Sequence, residues 1–178
     1  MTIAKHIQTI ISGSSWIRRM FEEGARLKAE HGAENVYDFS LGNPNLEPPE
    51  KFRAALKHAA ASSDPGVHAY MPNTGYLHVR KSVADCLCDE QKVRVTENEV
   101  IMTCGASGAL NVIFKAILDP GDEVITPAPF FVEYRYYVDN HGGSLKTVST
   151  KTDFNLDIDA VSHAITQKTR AVLINSPN

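Results

Sequence analysis

Apolar residues in this chain repeat first at helical spacing and then, from about residue 100, in short runs that alternate with helical stretches. Phe52, Ala55, Leu56, Ala59 and Ala60 fall at i, i+3, i+4, i+7 and i+8, which lines one face of an α-helix. An earlier helix is predicted to start at Ser14 or Ser15, either of which can cap it, and to run to about His31. It carries Ile17, Met20, Phe21 and Leu27 on one face, and Gly32 ends it. Residues 1–13 show little periodicity. A short strand is expected over 36–41, then a loop through Gly42-Asn43-Pro44-Asn45 and Pro48-Pro49. Ser63-Asp64-Pro65-Gly66 reads as a turn and 68–74 as a loop. A helix over 75–89 follows, striped by Val79, Val83, Cys86 and Leu87.

Beyond that helix the pattern predicts strands over 100–103, 123–126, 145–148 and 171–175, and helices over 106–118, 131–141 and 157–165. Asp119-Pro120-Gly121-Asp122 makes a tight turn, and Gly142-Gly143 ends a helix. Strands that alternate with helices of this length predict an α/β fold, a mostly parallel sheet covered on both faces.

Composition narrows the function classes. The chain has 178 residues, 43% hydrophobic and 22% charged, with a net charge of −3 and no basic run, so neither a nucleic-acid partner nor a disordered chain is expected. The longest apolar stretch near the start, Ile10-Ile11, is too short for a membrane span or a signal-peptide core, and a cytoplasmic protein is expected. Three cysteines cannot all pair, and Cys86 and Cys88, two apart in a helix, do not share a face. No His/Cys cluster surrounds them, so no metal is expected.

Candidate chemistry gathers at strand ends. Thr103-Cys104-Gly105-Ala106-Ser107-Gly108 joins a strand to a helix start, where first-turn N–H groups lack intrahelical partners and suit a phosphate. It is neither a dinucleotide-binding glycine motif nor a P-loop, and close packing of helix on sheet would use the same small residues. Pro127-Ala128-Pro129-Phe130-Phe131 brings aromatics to another strand end, where they serve either as core or as a stacking platform. Tyr70, near Asn73-Thr74-Gly75-Tyr76, is either a surface tyrosine or a hydroxyl offered to an anion. Gly42-Asn43-Pro44 is either a plain turn or a close backbone approach.

Taken in order, several segments resemble the class I/II aminotransferases of the fold-type I pyridoxal-phosphate enzymes. They are Ser40-Leu41-Gly42-Asn43-Pro44, Tyr70 with Thr74-Gly75-Tyr76 and Val79-Arg80, Gly105-Ala106-Ser107 with Ala109-Leu110, Asp119 to Val124, Pro127 to Phe131, and Asn175-Ser176-Pro177-Asn178. The resemblance runs from about residue 14 to the last residue. It implies a three-layer α/β/α large domain, present in part, preceded by an N-terminal arm and helix. Residues 1–45 would be the arm and part of a small domain, and 46–178 the N-terminal portion of the cofactor-binding domain.

The resemblance also implies roles. Gly105, Ala106 and Ser107 would hold the phosphate of pyridoxal 5′-phosphate, with the N–H groups of Ala106 and Ser107 as donors. Phe131 would stack on its ring, and Tyr70 would reach the phosphate of a second copy in a homodimer. Gly42 would lie near the substrate carboxylate. The reaction would move an amino group between an amino acid and a 2-oxo acid. A lyase or synthase of the same fold, or a non-catalytic aminotransferase-like fragment, are the alternatives. The family's Schiff-base lysine, ring-nitrogen carboxylate and substrate arginine match no residue here, so no catalytic residue is assigned. The 178-residue polypeptide is therefore expected not to transaminate. Assay with pyridoxal phosphate, an amino acid and 2-oxoglutarate checks this, and turnover above the free-cofactor background would refute it.

Overall fold

The computed structural model describes residues 3–13, 15–39 and 44–176. The chain forms two compact units, Met1–Val67 and His68–Asn178. In the first unit, α1 spans Lys5–Gly13, α2 Ser15–His31 and α3 Glu50–Ala61. The helix α1 arises in the stretch of weak periodicity, and its signal is the i, i+4 pair Ile7 and Ile11. Past the C-terminal end of α2, Asn35 Nδ2 donates to the His31 carbonyl at 2.8 Å, satisfying one of the carbonyls a helix end leaves open. Lys28 reaches Asp38 at 2.7 Å and ties the next segment back to α2. That segment corrects the expected strand over 36–41: Val36 is extended, yet residues 36–39 join no ladder, and residues 40 and 41 lie outside the described residues. The apolar face of α3 also differs from a core stripe, with Phe52 and Leu56 57% and 59% exposed.

In the second unit, α4 spans Leu77–Gln91, α5 Gly105–Ile117, α6 Glu133–Asp139 and α7 Ile158–Ala164, with strands β1 Glu123–Ala128, β2 Ser144–Ser149 and β3 Thr169–Val172. The expected stripe of α4 is half right. Val79, Val83 and Leu87 are partly buried, but Cys86 is exposed and Ala84 takes the buried position. The expected strand over 100–103 is corrected as well. Val100 is extended, and Met102 N–H donates to Thr74 at 3.0 Å, but no ladder forms. Extended φ/ψ is a local preference of β-branched residues, whereas a ladder needs a neighbouring strand.

The sheet has order β2-β1-β3, and both pairings are parallel, as expected. The strand β1 has neighbours on both sides and is buried along Val124, Ile125, Thr126 and Pro127, the continuous burial a central parallel strand requires. Thr126, the one hydroxyl in this run, donates to the Leu173 carbonyl at 2.9 Å, so its burial leaves no donor unmatched. Residues 119–122 reverse the chain so that β1 runs back along α5. Thirteen helical residues and six strand residues both span about 20 Å. Phe114 and Leu118 of α5, Val124 of β1 and Val138 of α6 form one buried cluster. Gly143 is glycine because a Cβ there would lie 2.8 Å from Val138 and 2.9 Å from Leu118. The connection β1–α6–β2 steps to one side of β1, and β2–α7–β3 crosses back to the other. With right-handed crossovers the two helices cover opposite faces.

At the amino-terminal rim of the sheet, Asp122 Oδ2 accepts from Arg170 Nε at 2.9 Å and from Asp119 N–H at 2.9 Å. Its carbonyl accepts from Ser144 N–H at 2.8 Å. One residue thus joins the turn, β2 and β3. The Arg170 guanidinium, aided by the Asp119 N–H, holds this carboxyl below the ordinary aspartate range. Lys146 and then Thr166 do the same for Glu123.

Two outcomes are expected. Phe114→Ala, which empties a side chain 2% exposed, lowers the free energy of unfolding by about 3–5 kcal/mol in a denaturant titration. Because the Asp122 carboxyl is depressed in the folded state, its contribution is complete above the unfolded aspartate value of about 4 and is lost as pH falls below it. Asp122→Asn should therefore lower stability at neutral pH and flatten the acid limb of a stability-versus-pH curve. An unchanged acid limb would contradict this.

Candidate functional site at the carboxyl edge

Running antiparallel to β1, α5 sets its N-terminus at the carboxyl edge of the sheet. Gly105 opens the helix at φ +70°, a left-handed conformation that favours glycine, and a Cβ built there meets nothing within 4 Å. The space beside the hinge is open. Gly105 N–H donates to the Thr103 carbonyl at 3.0 Å, and the Thr103 hydroxyl donates to the Gly105 carbonyl at 3.0 Å. Cys104 occupies the capping position but makes no side-chain cap. The N–H groups of Ala106 and Ser107 thus begin the helix with neither an intrahelical acceptor nor a side-chain cap, and both residues are exposed.

Ser107 Oγ lies 2.8 Å from the Tyr137 hydroxyl. Tyr137 belongs to α6, and its ring packs against the buried cluster. Phe131 stands just before α6, 52% exposed, edge-on to Tyr134 with ring centroids 5.6 Å apart. Phosphate-seat candidates and aromatic candidate are therefore brought to the same edge, linked through α6. Tyr70 is fully exposed and makes no contact with them. Gly42 lies outside the described residues.

A cavity of about 420 Å³ opens on the same edge. It is lined by Thr126 and Pro127 at the end of β1, by Phe130 and Tyr134, by residues 153–156 after β2, and by Ile174, Asn175 and Ser176 after β3. The carboxyl ends of β1 and β3 lie side by side here, and open α/β sheets hold ligands outside the carboxyl ends of their strands. Phe130 lines this cavity, but Gly105, Ala106, Ser107 and Phe131 do not. The turn bordering it contains Phe154 at φ +63°, an unusual conformation for a bulky residue. In that turn Asn155 donates to both oxygens of Asp153 and holds its carboxyl below the usual range.

The family model for class I and II aminotransferases matches residues 34–178. The chain belongs to the class I and II aminotransferases. Among relatives of this family, the aspartate/prephenate aminotransferase of Thermus thermophilus is 38% identical over 141 residues, covering 78% of this chain and 36% of that protein. A probable aspartate aminotransferase of Methanocaldococcus jannaschii is 33% identical over 141 residues, covering 79% of this chain and 37% of its own length. The crystal structure of an aminotransferase from Eubacterium rectale superposes with a TM-score of 0.90 at 35% identity, over 100% of this chain and 46% of that one. The aminotransferase fold-type I architecture is thus present in its N-terminal part, and the chain spans less than half the length of these aminotransferases.

Sequence reasoning did not connect Tyr137 to Ser107. Its place in the helical pattern marks it only as a face residue, and the contact spans 30 residues of chain. The 153–156 turn carried no motif that would have marked it as a cavity wall. Among the described residues no group of three or more His, Cys, Asp or Glu could hold a metal ion, and no helix is long and apolar enough to cross a membrane.

Proposed function

We propose that this chain contributes the phosphate seat of a pyridoxal-phosphate-dependent aminotransferase, which moves an amino group between an amino acid and a 2-oxo acid. The observation carrying the reading is the open, uncapped N-terminus of α5, joined by the Ser107–Tyr137 contact to the helix that the exposed Phe131 precedes. The donor set fits the cofactor's anionic end: two amide N–H groups, a serine hydroxyl, and a helix dipole worth about 0.3–1 kcal/mol toward an anion. When bound, the cofactor supplies the electron sink that makes the substrate Cα–H acidic.

The residues present would bind and orient. Ala106 and Ser107 hold the phosphate, Gly105, which has no side chain, lets backbone approach it, and Phe131 packs on the ring. Tyr70, whose ring is free of the rest of its unit, contacts the phosphate of a second copy in a homodimer. By the family resemblance, Gly42 would lie near the substrate carboxylate. In this reading residues 1–45 are an arm and part of a small domain, and 46–178 belong to the large domain. The names of the relatives make an aspartate-like amino acid the first substrate to test, in a protein we place in the cytoplasm.

Ser107→Asp sets a negative charge where the phosphate would lie. In the full-length apoprotein it is expected to weaken pyridoxal phosphate binding about thirtyfold or more, as losing charge-assisted hydrogen bonds and adding like-charge repulsion would do. Spectrophotometric titration reads this, and unchanged affinity would overturn the assignment of the phosphate seat.

A further inference from the structure

A hydroxyl has one proton, and the Ser107–Tyr137 contact determines where the serine's proton points. Ser107 Oγ and Tyr137 Oη are 2.8 Å apart, and by distance either can donate. The tyrosine ring is half-buried, packed on the cluster of Phe114, Leu118, Val124 and Val138, so its hydroxyl is delivered from a fixed wall to an exposed serine. Below the contact, Asn111 Nδ2 donates to the Ser107 carbonyl at 2.9 Å and steadies the serine's backbone. An anion at the helix N-terminus can take a hydrogen bond from Ser107 only if the serine proton is turned outward. The serine oxygen must then accept from Tyr137.

We propose that Tyr137 is a positioning residue of the phosphate seat: its hydroxyl donates to Ser107 Oγ and turns the serine proton toward the cofactor phosphate. This rests on the proposed phosphate seat and adds to it a residue, and a direction, that the aminotransferase assignment does not supply. Tyr137 does not itself touch the phosphate; it acts through Ser107. Its effect is therefore confined to ligands that carry a phosphate and disappears when the serine hydroxyl is removed.

The test uses the full-length apoprotein and its Tyr137→Phe, Ser107→Ala and double variants, titrated calorimetrically with pyridoxal phosphate and with phosphate-free pyridoxal. Tyr137→Phe keeps the packed ring, so the fold is retained. Its loss of pyridoxal phosphate affinity is expected to be about five- to tenfold, the size of one neutral hydrogen bond, with pyridoxal affinity unchanged. In the Ser107→Ala background the tyrosine substitution should cost nothing further. An equal loss for pyridoxal, or an undiminished loss in the Ser107→Ala background, overturns the relay and leaves the phosphate seat intact. If the unsubstituted protein binds pyridoxal as tightly as the phosphate ester, the seat itself is wrong and the relay falls with it.

Discussion

Burial of β1 on both faces and along both edges is the constraint from which the functional edge follows. Val124 and Ile125 have no exposed surface, and hydrogen-bonded neighbours flank the strand on either side. A strand so enclosed can carry polar atoms only where they are matched, as at Thr126, and its residues must pack against helices above and below. The tight turn at 119–122 and the crossovers fix the direction of every element that touches it. All three strands consequently end on one edge, and α5, running the other way, begins there.

This geometry explains why functional candidates far apart in sequence share one edge. The helix start at 105–107 would be an ordinary Gly/Ala turn if α5 ran with the strands instead of against them. Running against them, it aims uncapped N–H groups at the side where the β1–β3 crevice opens and where Phe130 and Phe131 emerge. The amino-terminal rim does the opposite job. Asp122 and Arg170 close it with an ion pair and backbone bonds that keep the strand starts together. Ion pairs gather at one end of the sheet, and open space at the other.

Local signals made most of the second unit legible. Helical spacing located α4, α5 and α7; Pro120 and Gly121 marked the reversal; and the glycines at 142 and 143 placed the end of α6. What failed was non-local. Val36 and Val100 are extended, but the segments 36–39 and 100–103 join no ladder, because pairing depends on a neighbour that composition does not reveal. Phe52 and Leu56 lie on one helix face as expected, yet stay exposed. Near the carboxyl edge, the small residues at 105–107 were legible as a helix start and Phe131 as an aromatic just past β1. Tyr137 was not, because only the packing of α6 against α5 brings its hydroxyl to Ser107.

The direct test of the phosphate seat is residue-resolved amide NMR of the protein titrated with pyridoxal phosphate. The account predicts that the amide signals of Ala106 and Ser107 shift most, with smaller changes at Phe131. Shifts confined to residues 153–156 and Ser176, with 105–107 unmoved, would place the ligand in the crevice alone and contradict it.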